Sequence, residues 1–143
     1  MSNAFALDSR LLNDTIKLGE TSLNLYLLMN DSQDPWVIMV PKIANMAELY
    51  ELEEKDYITV QEESRTLART MMDLFNGYKM NVAALGNVVR QLHIHHIVRE
   101  EEDEAWPAPV WGASPAIAYT EHELEKTSSS IRKALASNIT GFN

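Results

Sequence analysis

Three of the four histidines of the chain fall in one stretch, Gln91-Leu92-His93-Ile94-His95-His96-Ile97-Val98-Arg99. A neutral imidazole can attack phosphorus, accept a proton or bind a metal. The stretch is rich in bulky and β-branched apolar residues and has no Gly or Pro, which predicts a β-strand. Alternation along a strand puts Gln91, His93, His95, Ile97 and Arg99 on one face. Leu92, Ile94, His96 and Val98 take the other face, which reads as the core side. His93 and His95 then stand about 7 Å apart, with Gln91 beside them and His96 turned into the core. A metal site needs at least a third ligand. Gln91 is a poor one, and no carboxylate occupies the next same-face positions. The residues alone leave three readings open: a catalytic pair, a metal site, or structural histidines. His122, near acidic neighbours on the last helix, reads as a surface residue.

The elements around this stretch follow from spacing and turn residues. Residues 6–13 predict a short helix or turn, with Asp8 or Ser9 as the candidate cap. Thr15 to Leu18 and Leu23 to Met29 predict two strands joined by a turn at Gly19-Glu20-Thr21. Trp36 to Val40 is a continuous apolar run, as in a central strand covered on both faces. Glu54 to Asn76 predicts a long helix stopped by Gly77, and Tyr78 to Ala84 another strand. Leu85-Gly86-Asn87 forms a loop before the histidine strand, and the acidic run Glu100 to Glu104 a solvated one. Thr120 to Ala136 predicts a final helix with Thr120 and Glu123 as a capping box. Strands that mostly follow one another imply an α+β fold: a five-stranded antiparallel sheet with a long helix and a C-terminal helix. The whole chain, 1–143, reads as one domain, with its core at about 10–112 and its C-terminal helix at about 119–137.

Composition narrows the function classes. A chain of 143 residues with 45% hydrophobic residues suits one globular domain. There is no cysteine, which excludes disulfides, thiolate metal sites and a cysteine nucleophile and fits the reducing cytoplasm. No run of 18 apolar residues predicts a membrane span, and no basic stretch followed by an apolar one predicts a secretory signal. A net charge of −9 repels nucleic acid and anionic membranes. Neither of the common Gly-rich phosphate loops, nor the histidine helix of zinc proteases, is present.

The stretch Gln91-Leu92-His93-Ile94-His95 resembles the signature of the histidine triad (HIT) family, His-φ-His-φ-His-φ-φ, with Gln91 in the first place. Asn81-Val82-Ala83-Ala84-Leu85-Gly86-Asn87 before it and Trp106-Pro107-Ala108-Pro109-Val110-Trp111 after it resemble a bacterial branch of that family in which Gln stands first. Val37 to Lys42 resembles the family strand ending in Val-Pro-Lys. The resemblance covers Leu23 to Trp111. It implies a HIT-like fold, a homodimer whose two sheets join, and a small-molecule nucleotide as partner, with no cofactor and no metal. It implies hydrolysis or transfer at a nucleotide α-phosphate, of the dinucleoside polyphosphate or nucleoside phosphoramidate type, through a nucleotidyl-histidine. His93 takes the place of the nucleophile. His95 would contact phosphate oxygens or help protonate the leaving group, and Gln91 would bond the phosphate or orient water. Asn87 and Gly86 fall at the phosphate loop, and Asn30, with Asp31 as the adjacent alternative, at a ribose-contacting position. Departures are Gln91 itself, which cannot titrate; His96 at an apolar position; and Arg90 in place of proline. The alternative these departures raise is a nucleotide-binding protein with little turnover.

Overall fold

A computed structural model describes residues 4–143; Met1–Asn3, the first residues of the expected 1–143 domain, lie outside the described residues. The elements run α1 (Ser9–Asp14), β1 (Thr15–Glu20), β2 (Asn24–Met29), β3 (Trp36–Pro41), α2 (Glu54–Phe75), β4 (Lys79–Ala83), β5 (Ile94–Arg99) and α3 (Glu121–Asn138), with a single 3-10 turn at Leu49–Glu51. The five strands form one sheet in the order β1-β2-β3-β5-β4, every neighbouring pair antiparallel. This is the α+β class expected. β3 is central, and all six of its residues are buried. That explains its unbroken apolar sequence: both of its faces are covered.

The two faces bury different things. On one, Tyr26, Leu28, Val37, Met39, Ile94 and Val98 pack with Val60, Leu67 and Met71 of α2 and Ile131 and Leu135 of α3. On the other, Leu25, Leu27, Trp36, Ile38, Val40 and Ile97 pack with Leu11 of α1 and with Val89, while Phe5, Leu7, Val110 and Trp111 close over them. The second face has no long helix. It is covered by the N-terminal strap, α1 and the irregular segment that ends at Trp111, and this is the face that carries His95.

The histidine strand is shorter than expected. Pairing begins at Ile94, so Gln91, Leu92 and His93 form an irregular approach to β5. Within β5 the expected alternation holds: His96 lies opposite Val37 and His95 opposite Ile38 on β3. Other differences are local. Gly19 and Glu20 belong to β1, because the ladder continues past a bulge between Lys17 and Gly19. Phe142 crosses so close to Gly19 that a Cβ there would lie 2.5 Å from its ring. Asn143 exchanges two backbone hydrogen bonds with Glu20 (2.9 and 3.0 Å), so this residue pairs with the Glu20 end of the outer edge of β1. Asn76, not Gly77, takes the left-handed conformation that ends α2 (φ 50°, ψ 48°), a role Asn tolerates. Asp8 caps α1 by accepting from the Arg10 N–H, and the Thr120–Glu123 capping box starts α3 as expected.

The acidic run after β5 is not uniformly solvated. Arg99, only 1% exposed, donates twice to Asp103 (2.8 and 2.9 Å) and also to Asn81 Oδ1 and Ala108 O. One guanidinium thus joins β4, β5 and the segment that leads to Trp111, a geometry suited to its fork of five donors. Burial, and then the neighbouring Asp103 carboxyl, push Asp34 up to about 7, while Arg99 holds Asp103 well below the usual carboxylate range. Trp106 packs on Tyr78 and under the Arg99 guanidinium rather than on a histidine. Among the described residues no helix is long and apolar enough to cross a membrane. Arg99→Met leaves the Asp103 carboxylate buried without its partner. It should lower the unfolding free energy by about 3–5 kcal/mol, read from urea denaturation at neutral pH.

Candidate active site

His93 and His95 meet at the start of β5, their ring centroids 4.9 Å apart and their planes at 70°. They are only 5% and 4% exposed. The proton on each ring follows from partners that can play only one part. An indole N–H donates only, and Trp36 Nε1 lies 3.0 Å from His95 Nδ1. His95 Nδ1 therefore accepts, and its proton sits on Nε2, 3.2 Å from the Leu85 carbonyl oxygen. A carbonyl oxygen accepts only, and Gln91 O lies 2.6 Å from His93 Nδ1. His93 Nδ1 therefore donates, and its Nε2 keeps a free lone pair. Burial, reinforced by His93 nearby, lowers His95 to about 4, so that ring is neutral at pH 7.

His96, one residue on, serves the other face. Its Nδ1 donates to Ile94 O (3.0 Å) and its Nε2 lies 2.7 Å from the Ser64 hydroxyl of α2, which must donate to it. Burial lowers it to about 4. His96 is a hydrogen-bonded core residue that ties the long helix to the histidine strand. His122 is exposed on α3. Among the described residues no group of three or more His, Asp or Glu side chains could hold a metal ion.

The loop before β5 covers the pair. A Cβ on Gly86 would lie 2.6 Å from Val89 O, so the loop turns this tightly only with glycine, and that turn brings the main chain to within van der Waals reach of the His93 ring, 3.4 Å from the same Cβ to His93 Cε1. Asn87 beside it is exposed and holds no other side chain. Trp111 stands edge-on to His95 at 5.1 Å and to Trp36 at 6.0 Å. The two tryptophans also line a cleft of about 390 Å³ together with Asn30, Asp31, Asn13 and Asp14. Asn30 accepts from the Tyr119 N–H through Oδ1. Asp31 accepts from Gln33 and, at 3.3 Å, from the Ile117 N–H, all on Oδ1. A second cleft of about 470 Å³ lies behind Gln91 and Arg90 and has no histidine in its wall.

The structure thus brings His93, His95 and Gly86 together, sets Asn87 in the same loop, and places Asn30 and Asp31 in a cleft whose wall includes Trp36 and Trp111, the two tryptophans packed on His95. Gln91 differs. Its main-chain oxygen touches His93, but its side-chain amide is bonded to Ala6 O (2.8 Å) and the Asp8 N–H (2.9 Å). Sequence reasoning missed Trp36, which it read only as core; the signal available was that a buried indole N–H needs an acceptor. It also missed Asn13 and Asp14, for which no local signal exists.

Comparisons with known proteins agree with the fold. A model of the HIT domain matches residues 10–102. A histidine triad protein of Marinobacter aquaeolei VT8 is 48% identical, with a TM-score of 0.92 over 94% of this chain and 98% of that one. A histidine triad protein of Sinorhizobium meliloti 1021 is 40% identical (TM-score 0.89, covering 92% and 97%). One from Bradyrhizobium japonicum is 36% identical (TM-score 0.89, covering 92% and 98%). No curated protein sequence matches. The domain match spans well over half of the sequence and the three structures nearly all of it, and by these likenesses the chain belongs to the histidine triad family.

Proposed function

We propose that the protein is a nucleotide hydrolase or transferase that cleaves a phosphoanhydride or phosphoramidate bond at a nucleotide α-phosphate, with a covalent nucleotidyl-His93 intermediate. The observation that carries this reading is the tautomer of His93: Nδ1–H is fixed on Gln91 O and Nε2 is left with a lone pair. In the first step His93 Nε2 forms a bond to the α-phosphorus as the bond from phosphorus to the leaving oxygen or nitrogen breaks. The ring becomes cationic, and the Gln91 carbonyl dipole on Nδ1–H stabilises that charge. The leaving group takes its proton from water. In the second step water attacks phosphorus and gives a proton to the solvent, the Nε2–P bond breaks, and its electron pair returns to Nε2, leaving the ring neutral. Splitting one displacement in two lowers each barrier.

His95 fits the role of a neutral donor better than that of an acid. With its pKa lowered to about 4, about one molecule in a thousand carries the imidazolium at pH 7. Its Nε2–H, now on Leu85 O, would turn to a phosphate oxygen. The N–H groups around Gly86-Asn87 would hold further phosphate charge, and the cleft between Trp36, Trp111, Asn30 and Asp31 would take the nucleoside. The absence of cysteine suits the cytoplasm. A second reading, nucleotide binding with little turnover, is favoured by the near-complete burial of His93 and by the commitment of the Gln91 amide elsewhere.

A homodimer that joins the two sheets would use β4. On the β1 edge Glu20 is paired with Asn143 and the Lys17 and Leu18 carbonyls accept from Arg132, whereas β4 carries Val82 at 50% exposure with exposed Tyr78 before it.

Three outcomes test these readings. With diadenosine tetraphosphate or adenosine phosphoramidate, His93→Ala should lower turnover by roughly 10³-fold or more, and wild type quenched in alkaline denaturant, where a P–N bond survives, should carry a nucleotidyl mass on the His93 peptide. Equal trace rates in both proteins would sink the enzymatic reading, and tight binding in calorimetry without product would establish the second. Histidine NMR should show the His95 and His96 rings neutral down to about pH 4. Folding stability from these two rings is fully present above the unfolded value of 6.5 and is lost as pH falls toward 4, because the unfolded chain then binds protons that the folded rings refuse. Val82→Lys should shift sedimentation from dimer to monomer; a wild-type monomer, or a variant that stays dimeric, would remove the β4 assignment.

A further inference from the structure

We propose that Gln91 is a positioning residue that clamps the N-terminal strap onto the base of the loop over His93, rather than a ligand of substrate. The inference rests on the nucleotide reading of the site. The strap, residues 5–8, leads into α1. The strap is held to the segment before His93 by the Gln91 amide, which donates to Ala6 O and accepts from the Asp8 N–H, and α1 adds a second contact, Arg10 donating to Val88 O at 2.9 Å. Phe5 and Leu7 of the strap and Leu11 of α1 pack on the cluster that includes Trp36, Val89 and Ile97. The same element ends at Asn13 and Asp14, in the wall of the nucleoside cleft. One short stretch of chain therefore joins the segment that immediately precedes the nucleophile to the cleft that would hold the nucleoside.

The bonding of the amide supports a clamp over a phosphate contact. A primary amide offers a donor and an acceptor side by side, and the two face an acceptor and a donor on one segment of main chain, as a paired strand would. Swinging the amide toward a phosphate would break both bonds. Glutamine also fixes its own backbone, and its carbonyl oxygen is the atom that orients His93. Replacing the side chain would loosen the strap, the cleft wall and the nucleophile's support together.

Asp8 provides the test. Its φ of −55° suits proline, so Asp8→Pro deletes the N–H that donates to Gln91 at a position whose own φ proline can adopt. Asp8→Ala keeps that N–H and controls for loss of the cap on α1. Hydrogen exchange over residues 5–12 and steady-state kinetics on adenosine phosphoramidate are measured for Gln91→Ala, for each Asp8 variant, and for Gln91→Ala combined with Asp8→Pro. Expected are at least tenfold faster strap exchange and a several-fold rise in KM for Gln91→Ala and for Asp8→Pro, with the double variant no worse than either single one. Asp8→Ala should show a smaller change than Asp8→Pro in both. Gln91→Glu, which keeps the acceptor and loses the donor, should give an intermediate exchange rate and stands in if the alanine variant does not fold. Unchanged strap exchange in Gln91→Ala, or a rise in KM that multiplies in full with that of Asp8→Pro in the double variant, would overturn the proposal. Absence of turnover in the wild type would fail the enzymatic reading alone, since the exchange comparison still decides whether Gln91 is a clamp.

Discussion

An imidazole has two nitrogens, and a buried one must find a partner for each or leave one bare on purpose. The stretch from His93 to His96 is organised by that constraint. His95 has both nitrogens satisfied, by an indole N–H and a main-chain carbonyl. His96 has both satisfied, by a carbonyl and a serine hydroxyl. His93 has only Nδ1 engaged. The one unengaged nitrogen among the three rings belongs to the residue that the family resemblance places as nucleophile. Each partner plays a fixed role as donor or acceptor, so the tautomers follow from geometry.

The rest of the fold holds those partners still. β3 supplies both Trp36 and the strand against which His95 and His96 take their register. α2 supplies Ser64 and is thereby bonded to β5 as well as packed on it. Arg99, at the far end of β5, gathers the segment that returns Trp111 to His95. A buried guanidinium is costly unless its donors are used, and here four of its bonds reach three different stretches of chain.

Much of this was legible from the residues. Period-two alternation separated His95 from His96, and the apolar run at Trp36 to Val40 identified the central strand. The start of β5 was misjudged because Leu92 and His93 have strand-like composition while their backbone is spent on reaching the ladder. Asn76 rather than Gly77 ended α2 because either residue can adopt the left-handed turn and spacing does not choose between them. Asp103 looked like one acid in a solvated run, because its partner Arg99 was read as lying on a face rather than as buried. The bonds of Gln91 were invisible for a simpler reason. They join residues more than 80 positions apart, through main-chain atoms that carry no sequence signal.

Gly86 shows what a backbone-only contact implies for selectivity. The surface that closes over His93 there is main chain, with no side chain between the glycine and the ring. Peptide dipoles recognise charge and shape but carry no information about which base is attached. On the reading proposed here, discrimination among nucleotides falls to the tryptophan cleft some residues away, while the loop attends only to phosphate. Base preference could then drift in evolution through residues 29–36 and 110–116 without disturbing the reacting centre, and the chemistry could be tuned at the loop without changing which nucleotide is chosen.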